Sequence, residues 1–395
     1  LGDVYKRQVQ DFKGQDFIVF GEDFARHPHS LEHLLRPLFS QNRFVWVETI
    51  GLRSPKLSIY DLKRIAEKLL GWFGPKKPQA IRQVPEAITI VSPFMIPFNQ
   101  FALVRAFNKW SVSRAVNQVL KEKSFKDIIT ITSVPNSCDY VGNFNERLKV
   151  FVCVDEFSLW PGLDYDLVRS MENKLIQKSD LIFATSQALA ESKNNGKAET
   201  VLVTHGVDFS HFNIGKKTVA QKPLKICYFG LFDERSDQAI VAEVARAFPE
   251  SEIQIIGKVV CDVSLLTNLA NVKFTGPVSY SELPKAIANV DVFILPYVRS
   301  ELTNNLNPLK LKEYLSTGRP VIATALPEVA KLKEHLLLAA DGKEFVQRIQ
   351  NVLAKDTHLN PEQTLQWLQQ SETWTAKAAL FTSIVREHLR RLQQS

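Results

Sequence analysis

Long hydrophobic runs are missing from this 395-residue chain: no segment reaches the ~18 uninterrupted apolar residues of a membrane-spanning helix. No secretory-signal pattern stands at its start. Cysteine is scarce. Cys138, Cys153, Cys227 and Cys261 are the only four, and none forms a C-x-x-C pair. That excludes a zinc ribbon and a disulfide framework, and it fits a reduced, cytoplasmic setting. Glycine is sparse as well, with 16 residues, and neither G-x-G-x-x-G nor the P-loop pattern occurs. A phosphate grip of those two kinds is excluded. His27, His29, His33 and His205 lack the spacing of a recognised ligand motif, so no metal is expected. There is no short-period repeat and no low-complexity tract.

What is present reads as a soluble globular protein. Apolar residues make up 45% and charged residues 23%, ordinary proportions for that class. The length allows two domains of usual size. The net charge of +7 is unevenly placed: residues 53–126 hold 14 Lys and Arg against 4 Asp and Glu, so the rest of the chain nets −3. Within that segment, residues 58–73 (SIYDLKRIAEKLLGWF) have the pattern of a basic amphipathic helix ending in Trp72 and Phe73. Residues 101–123 mix Arg105, Lys109, Trp110 and Arg114 with apolar positions. Basic helices with aromatic flanks suit an anionic membrane surface, and the same pattern also serves a solvated face over a core. No DNA- or RNA-binding motif accompanies the charge, so nucleic acid is not an expected partner. Residues 3–8 (DVYKRQ) back-translate as GAT GTG TAT AAG AGA CAG, which resembles a transposase adaptor of sequencing libraries. Residues 1–8 are therefore expected to lie outside the native protein, whose own start would then be missing.

Short apolar runs at 16–20, 44–47, 88–91, 128–132, 150–154, 181–184 and 201–203 alternate with longer helical patterns. Alternation of this kind predicts a mainly parallel sheet covered on both faces. Asn213, Gly215, Lys216, Lys217 and Pro223 break the rhythm. A second series of strands follows at 224–229, 252–256, 272–274, 292–295, 321–324 and 336–339. The expected fold is therefore α/β, with two Rossmann-like doubly wound domains over 9–207 and 224–362. A linker covers 208–223, and a helical segment covers 363–395.

Two stretches carry the chemistry. Residues 225–230 (KICYFG), followed by LFDERSD and a helical pattern from about Gln238, form a strand, a glycine turn and a helix start. Backbone N–H groups after Gly230 can meet a phosphate there, aided by the helix dipole. Arg235 can add a bidentate contact to a diphosphate, and Lys258, after the next strand, is a further candidate. The second stretch is NPLKLKEYLSTGRPVIAT, residues 307–324. Pro308 suits a first helical position. Leu309, Leu311, Tyr314 and Leu315 form an apolar stripe, and Gly318 with Pro320 ends the helix. Lys310 and Glu313 share one flank. They form either a surface ion pair or a grip on a ligand, with Lys310 on diphosphate and Glu313 on a vicinal diol. Tyr297 and Asn307 bound the polar loop that feeds this helix, whose amides could also face an anion, and both are candidate donor-binding residues.

These residues resemble a known family. Asn307-Pro-Leu-Lys310-x-x-Glu313-Tyr-Leu-x-x-Gly318-x-Pro320-Val looks like the donor-site segment of GT-B glycosyltransferases. Val152-Cys-Val-Asp155-Glu-Phe, then Glu172, Ala184-Thr-Ser186, His205-Gly-Val-Asp208 and Phe212 resemble the acceptor-domain pattern of bacterial family 4-like enzymes that build exopolysaccharide or teichuronic acid. The likeness extends from about Phe17 to Ala325. It implies two domains facing each other across a cleft. It also implies transfer of a sugar from a nucleotide-diphosphate sugar to a glycan or lipid-linked acceptor in cell-surface polysaccharide synthesis, without metal or cofactor. Glu313 would bind the nucleotide ribose, while Lys310, Arg235 and the amides after Gly230 would face diphosphate. His205 would touch the donor phosphate. One departure stands out: retaining relatives carry a first Glu upstream of the second, and Asn305 holds that place here.

An inverting transfer needs a carboxylate base on the acceptor side. Asp155, at the end of its predicted strand, is the candidate. Glu156 beside it faces the other way. Arg26, His27 and Arg53 follow predicted strands and could contact the acceptor. Asp164-Tyr-Asp166 matches the D-x-D of a different, metal-dependent fold, but its position before a helix suits N-terminal charge. A nucleotide-sugar epimerase or hydrolase on the same scaffold, or a catalytically degenerate sugar-nucleotide-binding protein, remains an alternative. The expected location is cytoplasmic, peripheral at the inner membrane face.

Overall fold

The computed structural model describes residues 2–25, 29–52, 84–215 and 223–394. Arg26, His27, Arg53, the basic pattern at 58–73 and residues 216–222 of the expected linker lie outside the described residues. The chain divides into two compact units. One comprises residues 6–203 with 378–395, and the other comprises 204–377 with 1–5.

The first unit is built on a seven-stranded parallel sheet. Its strands are β1 (Asp16–Gly21), β2 (Arg43–Glu48), β3 (Ile88–Val91), β4 (Ile129–Thr132), β5 (Leu148–Cys153), β6 (Leu181–Ala184) and β7 (Glu199–Leu202), in the order β3-β2-β1-β4-β5-β6-β7. Every residue of β1, β4 and β6 is buried. That is why β6 and residues 17–20 of β1 read as unbroken apolar runs, while β4 (ITIT) buries even its threonines. The one charge inside β1, Asp16, is matched by Arg43 of β2 through two hydrogen bonds of 2.6 and 2.7 Å, so a buried charge is not left unpaired.

The second unit has six parallel strands: β8 (Lys225–Phe229), β9 (Glu252–Ile256), β10 (Val272–Gly276), β11 (Val292–Leu295), β12 (Val321–Thr324) and β13 (Leu337–Ala339), ordered β10-β9-β8-β11-β12-β13. Its core runs continuously from Ile226, Tyr228 and Phe229 through Phe293, Tyr314 and Val321 to Phe345 and Ile349. Both sheets reverse winding direction once, between β1 and β4 and between β8 and β11. In open α/β sheets that reversal opens a crevice at the carboxyl ends of the strands, where ligands bind. The chain closes with helices at Pro361–Ser371 and Trp374–Gln394.

Candidate functional site

In the second unit the switch point falls beside Gly230, the residue after β8. Its φ of +121° is closed to other side chains, and a Cβ there would lie 2.6 Å from Lys310 Nζ. Gly257, after β9, has φ +143°, and its Cβ would lie 2.0 Å from the Gly230 carbonyl oxygen. Two neighbouring turns thus touch backbone to backbone, which only glycine permits. The Gly230 amide donates to the Ile256 carbonyl at 2.8 Å.

The helix Leu309–Ser316 brings side chains to this turn. Pro308 is its N-cap, and Leu311, Tyr314 and Leu315 are buried, as the apolar stripe requires. Tyr314 fastens the helix to β8: its hydroxyl donates to the Phe229 carbonyl at 2.8 Å and accepts from the Phe229 amide at 3.0 Å. One turn earlier, Lys310 Nζ donates to the Tyr228 hydroxyl at 2.7 Å. The same ammonium lies 4.5 Å from the Tyr228 ring centroid and 5.5 Å from that of Tyr297. Among the described residues no ion pair joins Lys310 to Glu313, so the surface-pair alternative does not hold. Glu313 is half-buried. Desolvation raises its carboxyl from 4.5 to about 7, with Lys310 opposing and Asp208 adding to the rise. A carboxylate so perturbed, beside a cation at a strand end, has the signature of a ligand group.

The remaining candidates divide. Arg235 is close enough to Tyr228 and Tyr297 to act on both electrostatically. Its guanidinium is gripped by Asp233, with the shortest contact 2.7 Å, so its orientation is set by a neighbour that the sequence reading passed over. Tyr297 is buried and lies under Lys310. Lys258 is exposed, and Asn307 is half-buried just before the helix. His205 differs from expectation. Its imidazole is buried, edge-on to Trp374 at 6.2 Å, and desolvation with Lys312 and Lys377 lowers its pKa to about 3. A neutral, enclosed ring brings no positive charge to a phosphate. What its segment supplies instead is a carbonyl that accepts from Lys312.

Lys312 was not singled out in the sequence. It is buried, with its ammonium shared among the His205 carbonyl, Thr204 Oγ1 at 3.2 Å and the Glu372 carboxylate, which Lys377 also meets at 2.8 Å. Burial lowers Lys312 to about 8. Segment 204–208 is further tied to the chain near 373: Val207 N donates to Glu372 O at 2.8 Å, and Trp374 N to Val207 O at 3.2 Å.

In the first unit Asp155 stands just past β5, half-buried. Glu156 turns instead to Ser158 and Lys193, and Lys193 also bonds Glu172 at 2.7 Å. Burial pushes the Glu172 carboxyl up, against the pull of Lys193. Two of the four acidic residues quoted in the acceptor-domain pattern, Glu156 and Glu172, thus enclose a buried lysine. Asp164 caps the helix Tyr165–Lys178 through the Leu167 amide at 3.0 Å, as its position suggested. His29 caps the helix Ser30–Leu35. Asn305 ends the short helix Glu301–Asn305, its side chain donating to the Glu301 carbonyl at 2.8 Å. No group of three or more metal-ligating side chains occurs among the described residues.

Known proteins are similar to this chain in sequence and fold. Residues 225–355 fit the family model described as glycosyl transferases group 1. TuaH of Bacillus subtilis (strain 168), named provisionally as a teichuronic acid biosynthesis glycosyltransferase, is 25% identical over 238 residues. That match covers 56% of this chain and 59% of TuaH, less than two thirds of the relative's length. Among solved structures, HepE of Anabaena in complex with UDP and glucose is 14% identical with a TM-score of 0.65, covering 94% of this chain and 99% of that one. Sucrose-phosphate synthase from Thermosynechococcus elongatus is 14% identical with a TM-score of 0.68, covering 95% and 99%. At such identity the structures speak to fold alone, and the fold is GT-B. Residues 225–355 are thus similar to the glycosyl transferases group 1 family, within a chain of two Rossmann-like sheets that has the GT-B fold.

Proposed function

We propose that the chain is a glycosyltransferase that moves a hexosyl group from a nucleotide-diphosphate sugar to a hydroxyl of a glycan or lipid-linked acceptor in cell-surface polysaccharide synthesis. One observation carries the reading. Lys310, Arg235 and Glu313 gather around the Gly230 turn, at the switch point of the sheet that fits the group 1 family model. A cation held at a glycine turn and a carboxylate that accepts hydroxyl protons are the two functions needed to hold a nucleoside diphosphate. The UDP in HepE and the name of TuaH support the donor and pathway class.

The mechanism follows from the groups present. Lys310, Arg235 and the amides after Gly230 stabilise the diphosphate as it leaves, which needs neither metal nor cofactor in this reading. Asp155 takes the proton of the attacking acceptor hydroxyl. With Asn305 in place of a second carboxylate, inversion at the anomeric carbon is the simpler course. A membrane-bound acceptor is supported by the helix Ala102–Glu122. Leu103 (86% exposed), Phe107 and Trp110 (57%) form an outward apolar stripe, continued by Arg114 over the Trp110 ring at 5.7 Å. No helix of the described residues is long and apolar enough to cross a membrane; the reading, which rests on the exposed stripe, is contact at the inner face of the cytoplasmic membrane.

Calorimetry against UDP-, GDP- and TDP-sugars tests the donor, and binding of none would refute the proposal. Product analysis without acceptor separates the rivals, since an epimerase changes the free donor and a hydrolase releases the sugar, whereas a transferase leaves the donor intact.

A further inference from the structure

Lys310 is held from below by two tyrosines at the carboxyl ends of adjacent strands. Tyr228 is the penultimate residue of β8, fully buried, and Tyr297 follows β11, also buried. β8 and β11 are paired, with Ile226 opposite Val292. The Tyr228 hydroxyl has a single proton, which it donates to the Leu231 carbonyl at 2.6 Å. Its oxygen lone pairs therefore face Lys310 Nζ at 2.7 Å and Ser236 Oγ at 3.3 Å. The direction of that hydroxyl is fixed by the Gly230 turn itself, because Leu231 is the next residue. The ammonium meets the faces of both rings, at 4.5 and 5.5 Å, where the ring quadrupole attracts cations. On its remaining side the Lys310 chain closes over Gly230, near enough that a Cβ would collide with it. Long lysine side chains otherwise lose considerable rotamer freedom when a ligand fixes them.

We propose that Tyr228 and Tyr297 are positioning residues that hold the Lys310 ammonium over the Gly230 turn, ready for the diphosphate of the donor. This rests on the donor reading above and extends it to Tyr228, which pattern analysis counts as core, and to a positioning role for Tyr297. Tyr228 does not touch the ligand. It sets where the lysine charge stands, and Tyr297 keeps that charge from swinging away. The consequence is specific: loss of either residue weakens recognition of the phosphates and leaves recognition of the nucleoside unchanged.

The test compares the nucleoside diphosphate that the wild-type protein binds, among UDP, GDP and TDP, with its nucleoside. Tyr228→Phe keeps the ring and deletes the acceptor. Affinity for the diphosphate is expected to fall roughly three- to tenfold, with nucleoside affinity unchanged. Tyr297→Leu, which leaves the Leu231 contact intact, is expected to act in the same direction. In a Lys310→Met background Tyr228→Phe is expected to have no further effect, because the residue acts through the lysine. Equal losses for diphosphate and nucleoside, or a full Tyr228→Phe effect without Lys310, would overturn the proposal and leave the donor reading standing. Failure of the wild type to bind any of the three diphosphates would overturn both.

Discussion

Replacing Glu313 by Gln should strengthen the free protein and weaken its grip on the donor. The carboxyl has been raised from 4.5 to about 7, chiefly by desolvation, with Lys310 opposing and Asp208 reinforcing. Between those two values the folded chain keeps a proton that the unfolded chain has released. Stability therefore declines as pH rises through this window and stays low above it. The shift alone corresponds to about 3 kcal/mol, and partial solvent access reduces the expected penalty to about 1–2 kcal/mol. Glutamine has no charge to desolvate. Urea unfolding of both proteins should show them nearly equal near pH 4.5, with the variant ahead by about 1–2 kcal/mol near pH 8. Other titrating groups, Lys312 among them, are common to both proteins and cancel in the difference.

Binding should move the opposite way. A ribose diol needs the ionised acceptor, so apparent affinity scales with the ionised fraction of Glu313. Wild-type affinity for the donor should fall about tenfold from pH 8 to pH 6. The probe should be the intact nucleotide-sugar, because the terminal phosphate of a free diphosphate itself titrates near about 6. The Gln variant should bind at least about tenfold more weakly at pH 8, with little pH dependence. A stability difference that does not vary with pH, or flat wild-type affinity across this range, would refute the reasoning.

Three further outcomes are expected. Glu372→Gln should destabilise by about 3–5 kcal/mol because it strands two buried ammoniums, whereas Lys312→Met leaves the 2.8 Å Lys377–Glu372 pair intact and should cost about 1–2 kcal/mol; chemical denaturation giving the reverse order would contradict the assigned network. Asp155→Asn should lower turnover by about 10²–10⁴-fold with donor affinity unchanged in calorimetry, and retained turnover would remove Asp155 as the base. The double change Leu103→Glu and Trp110→Glu should lower flotation with anionic vesicles by about tenfold or more, with activity on a soluble acceptor preserved; undiminished flotation would place the membrane contact elsewhere.

The sheets were legible because their strands are covered on both faces. Runs at 181–184, 292–295 and 321–324 coincide with β6, β11 and β12, since a fully buried strand writes its limits as the limits of an apolar run; β3 and β9, partly buried, coincide with 88–91 and 252–256 through their β-branched residues. Gly230 was legible through its place after such a run, and Lys310 with Glu313 through helical spacing. What stayed hidden has one physical cause: polar work done by residues that pattern reading assigns by type. Tyr228 inside KICYF reads as core, and the sequence does not show that its hydroxyl stands under a lysine 82 positions later. Lys312 reads as a surface residue because lysines on amphipathic helices usually are. It is buried only because Glu372, 60 positions on, returns to meet it.

That last pairing bears on how the site is held. Lys312 lies on the same short helix as Lys310 and Glu313. At about 100° per residue it stands about 160° around the axis from Lys310, so its bonds to Thr204, His205 and Glu372 brace the helix from behind. Tyr314 braces it toward β8. Asp208, which contributes to the raised Glu313 carboxyl, belongs to the same His-Gly-Val-Asp stretch whose His205 carbonyl Lys312 grips. The acidity of the Glu313 carboxyl and the placement of the Lys310 ammonium are therefore set by one rigid element fixed at two opposite faces. Loosening either face should move both properties together, whereas a change confined to Tyr228 should move only the second.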